Sequence, residues 1–236
     1  MSVQNLVREW RTVNTGRGSI DVYVAADRAG VRPAVIMFPE IFGVNDAMKD
    51  EAARIAEQGF SVAVPDIFWR QETRVDLGYS PDDRKRGFGF MQNYDFAEGI
   101  ADMAAVTKAV EAFDDFAGPA SMVGFCLGGK LALLVGAKTG APAIISFYGV
   151  RLDQNVDLIR AYKGAFQFHV GSRDDHIPAE TISAVSHAVK AMPNAEVFVY
   201  EGAAHGFFNR VRSEVYDAGA TRTAFDRAMA ALRVAR

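Results

Sequence analysis

The stretch GFCLGG, residues 124–129, follows the apolar run SMVGF (Ser121–Phe125), precedes another apolar segment and holds the one cysteine of the chain. Small residues two before and two after a nucleophile let a chain turn sharply from a strand into a helix, the arrangement of a nucleophile elbow. Gly124 and Gly128 have that spacing around Cys126. On such a turn the side chain stands at the C-terminal edge of a sheet, and the N–H of the next residue, here Leu127, points where a tetrahedral oxyanion would form. The helix N-terminus that starts there also favours a thiolate. Glycine spacing alone leaves a second reading open, because a free cysteine is often a small buried apolar residue and nothing more.

The runs around this segment read as strands. SIDVYVAAD (Ser19–Asp27) alternates and is preceded by RTVNT, a candidate hairpin partner. PAVIMF (33–38), FSVAVPDIF (60–68), AIISFYG (143–149), FQFHVG (166–171) and EVFVYEG (196–202) are largely continuous in apolar residues, as strands buried on both faces of a parallel sheet are. Helical patterns separate most of them. NDAMKDEAARIAEQG offers Asn45 or Asp46 as a cap and Gly59 as a stop, and Phe96, Ile100, Met103, Val110 and Phe113 mark one face of a longer helix. Further helices are expected over about 128–137, 179–191 and 213–235. The region from Trp69 to Tyr94 is the least regular, with Ser80 and Pro81 opening a short helix whose first turn holds Asp82 and Asp83. Strands alternating with helices predict an α/β fold, a mostly parallel central sheet with helices on both faces. At 236 residues, half of them hydrophobic, the chain is expected to form one domain over 1–236.

In the elbow architecture an acid and then a histidine follow the nucleophile, each on a loop after a later strand. FQFHVGSRDDHIP supplies a strand and then Asp174, with Asp175 as its rival, and EVFVYEGAAHGFF supplies the next strand and then His205. His169 falls inside a strand and His187 inside a helix, positions that suit structural roles. Asp174, Asp175 and His176 offer two adjacent carboxylates and a single local histidine, a poor match to a metal site, so no metal is expected.

Composition narrows the partners. Lys and Arg number 26 against 29 Asp and Glu, a net charge of −3, and no block of basic residues forms a footprint for nucleic acid. No apolar run approaches the ~18 residues of a membrane span. One cysteine cannot close an intramolecular disulfide, and MSVQNLVREW lacks the apolar segment of a signal peptide, so a reducing cytoplasm is expected. A small-molecule partner is the default expectation; the sequence leaves the oligomeric state open.

PEIFGVND, GFCLGG, GSRDDHIP and AHGFFNR, in this order and at these intervals, closely resemble the dienelactone hydrolases (carboxymethylenebutenolidases) of the α/β-hydrolase superfamily. The resemblance spans nearly the whole chain. It implies a Cys–Asp–His triad on Cys126, Asp174 and His205, the choice of Asp174 over Asp175 following from family spacing to Pro178. It further implies a glutamate that restrains the thiol, Glu40; an oxyanion hole from the backbone N–H groups of Ile41 and Leu127; and an arginine that binds the substrate carboxylate, Arg84, with Phe88 in the pocket stretch. No cofactor is implied. The family carries a serine directly after the histidine and an arginine four residues after it, where this chain has Gly206 and Asn209, with Arg210 one position further. The implied activity is hydrolysis of a small ester or lactone, anionic ones included, through a thioester acyl-enzyme. A thioesterase or general carboxylesterase shares the same residues, and a non-enzymatic small-molecule binder or thiol sensor is the remaining alternative.

Overall fold

The computed structural model describes residues 6–28 and 30–235. Eight strands form one mostly parallel sheet flanked by helices, the α/β architecture that the apolar runs predict. The chain divides into two compact units, the first ending at Ser121 and the second starting at Met122.

In the first unit the strands are β1 (Leu6–Thr15), β2 (Gly18–Asp27), β3 (Arg32–Phe38) and β4 (Ser61–Pro65), in the order β1-β2-β4-β3. β1 and β2 form the expected hairpin, antiparallel with Thr15 opposite Gly18, but β1 starts well before RTVNT. Its polar sequence hides it: the strand is held by cross-strand pairs such as Trp10 against Tyr23, edge to face with centroids 5.7 Å apart, rather than by a continuous apolar face. β4 pairs antiparallel with β2 and parallel with β3, and it is shorter than FSVAVPDIF because the chain turns after Pro65. There the buried carboxylate of Asp66 accepts from the N–H groups of Phe68 (3.3 Å) and Arg74 (2.5 Å). Burial pushes Asp66 up to about 6 despite these two bonds.

The loop that Asp66 anchors clamps the segment after β3. Val44 donates to the Val75 carbonyl (2.9 Å) and Leu77 to the Phe42 carbonyl (2.9 Å). Between these bonds Gly43 takes φ 74°, and a Cβ there would overlap the Val75 carbonyl oxygen. Helix α1 (Asp46–Glu57) follows, capped by Asn45 and not Asp46: the Asn45 side chain accepts from Met48 (3.2 Å) and donates to the Leu77 carbonyl (2.9 Å). Helix α2 (Pro81–Gln92) is three turns long, where the sequence shows only its opening. Ser80 and Asp83 close a capping box at its start, and Gly87 lets it lie against the chain, since a Cβ there would stand 2.9 Å from the Ile41 carbonyl oxygen. α3 (Phe96–Val110) carries Asp102, a buried carboxylate held by Arg17 (2.5 Å), Arg70 (2.6 and 2.9 Å) and the Trp69 indole (3.2 Å).

β5 (Phe116–Phe125) begins in the first unit and ends in the second. In the second unit it is followed by β6 (Ala143–Phe147), β7 (Ala165–Gly171) and β8 (Ala195–Tyr200), successive neighbours that all run parallel. The helices are α4 (Leu127–Thr139), α5 (Val156–Ala161), α6 (Ala179–Val189) and α7 (Ala218–Val234). α5 is too short for its periodicity to be read from sequence, and α7 starts later than expected because Asp217 caps it, accepting from Ala220 (2.9 Å). Phe125 stacks on Phe147 (4.9 Å), which stacks in turn on His169 (4.8 Å). His169 is fully buried between the Tyr200 hydroxyl (2.8 Å) and Gln167 (3.1 Å), and burial lowers it to about 3, so it is a neutral core group.

Gly43→Ala is expected to destabilise the protein by at least about 1–2 kcal/mol, from the left-handed backbone and the lost approach to Val75, measured by denaturant unfolding.

Candidate active site

Cys126 sits between β5 and α4 with φ 55° and ψ −116°, a conformation ordinary side chains avoid. The turn is held from several sides. The Cys126 N–H donates to the Phe147 carbonyl (3.0 Å), and its own carbonyl accepts from Gly129 (3.0 Å). Glycine is needed beside it because a Cβ on Gly124 would overlap the Gly128 carbonyl group, and one on Gly129 would lie 2.7 Å from both Gly149 Cα and Ser146 Oγ. Cys126 as a residue is partly accessible.

Asp174 and His205 lie on the loops after β7 and β8, and Gly171 lets those loops approach: a Cβ there would overlap the Ala203 carbonyl, to which Arg173 donates (3.0 Å). His205 Nδ1 is 2.8 Å from Asp174 Oδ2 and 3.0 Å from Oδ1. Asp174 Oδ1 also accepts from the His176 N–H (2.9 Å). The Asp174 side chain is 0% exposed, whereas that of Asp175 is 82% exposed and faces solvent. Burial and the bond to His205 thus set apart two neighbours that the residue pattern left as rivals and that the family spacing alone had separated. His205 Nε2 is buried and has no hydrogen-bond partner among the described residues. The rings of Tyr148 (5.0 Å) and His176 (4.5 Å) meet the imidazole edge to face.

The electrostatics follow from this geometry. Burial opposes charge on His205, but the sulfur of Cys126 when ionised, together with the bonded Asp174 carboxylate, outweighs it, and the imidazolium is pushed up to about 10.

The segment after His205 explains one departure from the family pattern. Gly206 has φ 81°, and a Cβ there would lie 2.9 Å from Arg212 Nη1, so glycine suits both backbone and neighbour. Asn209 is buried, its side chain accepting from Val211 (3.1 Å), and Arg210 is exposed. Arg212 is the buried guanidinium of this loop, paired with Glu214 (3.0 Å). Sequence spacing points to positions 209 and 210 and gives no signal for 212, because only the turn at Gly206 brings that side chain back toward it.

In the first unit, Glu40 and Ile41 are buried just beyond β3. Arg84 and Phe88 line a groove of about 820 Å³ along α2 with Tyr79, Pro81, Lys85, Gly89 and Gln92. Among the described residues no group of three or more His, Cys, Asp or Glu is placed to hold a metal ion, and no helix is long and apolar enough to cross a membrane.

A folded pKa above the ordinary histidine value gives stability that is present in full below about 6.5 and lost as pH rises through the folded value. Cys126→Ala removes the first of the upward influences, so the His205 pKa is expected to fall markedly in that variant. Imidazole titration by nitrogen-15 NMR measures it; an unchanged pKa would show that Cys126 does not act on the ring.

Residues 20–235 match the dienelactone hydrolase family. The chain is 32% identical over 222 residues to a carboxymethylenebutenolidase of Pseudomonas sp. (strain P51), covering 92% of this chain and 91% of that one. It is 31% identical over 198 residues to the carboxymethylenebutenolidase of Pseudomonas putida, covering 83% of each. A solved Klebsiella pneumoniae chain superimposes with a TM-score of 0.84 at 23% identity, over 97% of this chain and 98% of that one. A dienelactone hydrolase-like promiscuous phosphotriesterase from metagenomic libraries gives 0.78 at 24%, with the same coverage. At that identity the two structures speak to the fold alone, and the family match and the sequence relatives carry the rest. The chain belongs to the dienelactone hydrolase family and is a dienelactone hydrolase-like hydrolase with the α/β-hydrolase fold.

Proposed function

We propose that the protein hydrolyses small esters or lactones by covalent catalysis, with Cys126 as nucleophile, His205 as general base and acid, and Asp174 holding the imidazole. The observation that carries this reading is the His205 ring: Nδ1 bound to a buried carboxylate at 2.8 Å, Nε2 buried without a partner, and Cys126 the first of the upward influences on its protonation. A ring so oriented has one nitrogen committed and one available for proton transfer.

His205 Nε2 takes the thiol proton as the sulfur attacks the substrate carbonyl carbon. The negative charge that develops on the carbonyl oxygen is received by the Leu127 N–H at the start of α4. Collapse breaks the bond to the ester oxygen, which takes the proton from His205. For a lactone, the hydroxyl so formed stays tethered to the acyl group, which is now held as a thioester on Cys126. Water then attacks the thioester carbonyl, His205 accepting one of its protons; the C–S bond breaks, the sulfur takes that proton back from His205, and the product leaves as a carboxylic acid that ionises in solvent.

The roles of Ile41 as second oxyanion donor, Glu40 as restraint on the thiol, and Arg84 and Phe88 as substrate contacts rest on the family resemblance. Near Glu40, ionisation of the thiol would be disfavoured by like-charge repulsion. Recognition of an anionic substrate has Arg84 and Lys85 in its favour on the groove of α2, while Asn209 brings no charge where the family has an arginine. We further propose that residues 1–236 act as one domain, which the passage of β5 from one unit to the other supports. A cytoplasmic site of action suits a mechanism that needs its one cysteine reduced.

Cys126→Ala is expected to lower kcat/KM on lactones and aryl esters by at least about a thousandfold with the fold retained; most of the turnover surviving would refute the covalent route. Asp174→Asn should also lose activity strongly and Asp175→Asn only a few-fold, and the reverse ranking would move the acid to Asp175. Rates on a panel of dienelactone, simple lactones, aryl esters and thioesters rank the substrate classes; no turnover on any of them would favour a binding or thiol-sensing role. Iodoacetamide should alkylate Cys126 faster in Glu40→Gln than in the parent protein at neutral pH, and equal rates would remove Glu40 from the gating role.

A further inference from the structure

β8 ends the strand order of the sheet, with β7 on one side and no strand on the other among the described residues. The phase of its backbone is set by two bonds to β7: Phe166 donates to the Asn194 carbonyl and Ser172 to the Tyr200 carbonyl, both at 2.9 Å. In a parallel ladder alternate residues face one neighbour, so the even-numbered positions from 194 to 200 face β7, and Val197 and Val199 turn their N–H and C=O groups to the open edge. Val199 is 49% exposed.

Proteins usually block such an edge with charged side chains, proline or a bulge. The outer strand β1 does so, carrying Arg8, Glu9 and Arg11 in ion pairs. β8 reads AEVFVY, with one charge, no proline and no glycine. That charge has a complement nearby. Glu196, Phe198 and Tyr200 share one face of the strand by alternation. On that face Arg227, from α7, lies 4.2 Å over the Phe198 ring and reaches the Tyr200 hydroxyl at 3.4 Å. Among the described residues, neither Glu196 nor Arg227 has an ion-pair partner.

We infer that β8 pairs antiparallel with β8 of a second copy about a two-fold axis at Phe198, forming a symmetric homodimer. Phe198 then faces the partner's Phe198, and Val197 faces the partner's Val199, each pair of valines exchanging both backbone bonds, four in all. Glu196 falls opposite the partner's Tyr200 and so beside the partner's Arg227, and the symmetry axis repeats the ion pair. The edge is complementary to itself in backbone donors, apolar side chains and charge. A register centred on Val197 is poorer, because it would draw on Ala195, whose N–H is already given to the Met192 carbonyl at 3.4 Å.

Sedimentation velocity of the full chain over a range of concentrations tests this, with melting temperature and esterase turnover recorded for each variant. The parent protein is expected to show a concentration-dependent dimer. Val199→Lys, at an exposed position away from the proposed machinery, should be monomeric, with unchanged turnover and with melting that matches the parent's at dilutions where the parent is itself monomeric. Glu196→Arg should raise the dimer dissociation constant by about tenfold or more, and adding Arg227→Glu should restore it. A parent protein that stays monomeric throughout, or a Val199→Lys protein that still dimerises, overturns the proposal. A monomeric Val199→Lys together with a failure of the charge swap to restore pairing, where the double variant melts normally, overturns the register centred on Phe198.

Discussion

The close approach of two backbones at the strand-to-helix turn is the constraint on which the rest of the second unit depends. Gly124 and Gly129 remove the side chains that would otherwise collide with the Gly128 carbonyl and with Gly149, and Cys126 between them is forced to φ 55°. Strain at such a residue persists only when its surroundings over-determine it. Here the Phe147 carbonyl fixes its N–H, and the first turn of α4 draws on its carbonyl. The stack of Phe125, Phe147 and His169 ties the ends of β5, β6 and β7 to one another.

The same device recurs one loop further on. Gly171 allows the chain after β7 to touch the chain after β8, and the Asp174–His205 bond sits on that contact. A carboxylate with a fully buried side chain is costly unless its lone pairs are used, and Asp174 uses them on His205 and on the His176 N–H. In that position it orients the ring more firmly than an exposed carboxylate could. The proposed chemistry then asks little more of the protein than an available Nε2 and a thiol on the same unit, with loop variation left to set specificity.

In the first unit, position is set by a clamp rather than a stack. Gly43 against Val75, Asn45 against Leu77 and Gly87 against Ile41 fasten the segment after β3 to the irregular stretch and to α2. Asp66 holds the far end of that stretch through backbone N–H groups, and its raised protonation equilibrium marks the cost of burying the carboxylate to do so. Ile41, one of the two oxyanion donors that the family resemblance assigns, and Arg84, which it assigns to the substrate carboxylate, lie on this clamped segment and on the groove of α2, so their placement depends on glycines far apart in the chain.

The sequence by itself determined the fold class, the succession of central strands and helices along the chain and the candidates Cys126, Asp174 and His205, because buried parallel strands are apolar throughout and the elbow needs glycine at fixed steps; the order of the strands in the sheet came only with the structure. It also carried the family, through four motifs in fixed order. What it left to the tertiary structure was whatever depends on contacts between distant segments: the length of β1, held by cross-strand pairs; the full extent of α2, whose composition is polar; and the late start of α7 at its Asp217 cap. The burial that sets Asp174 apart from Asp175 is of that kind: the family spacing named Asp174, but only the fold shows which of two adjacent identical side chains is enclosed. So is the buried guanidinium of Arg212, which reaches Gly206 only because the chain turns back on itself after His205, and local spacing holds no record of such a return.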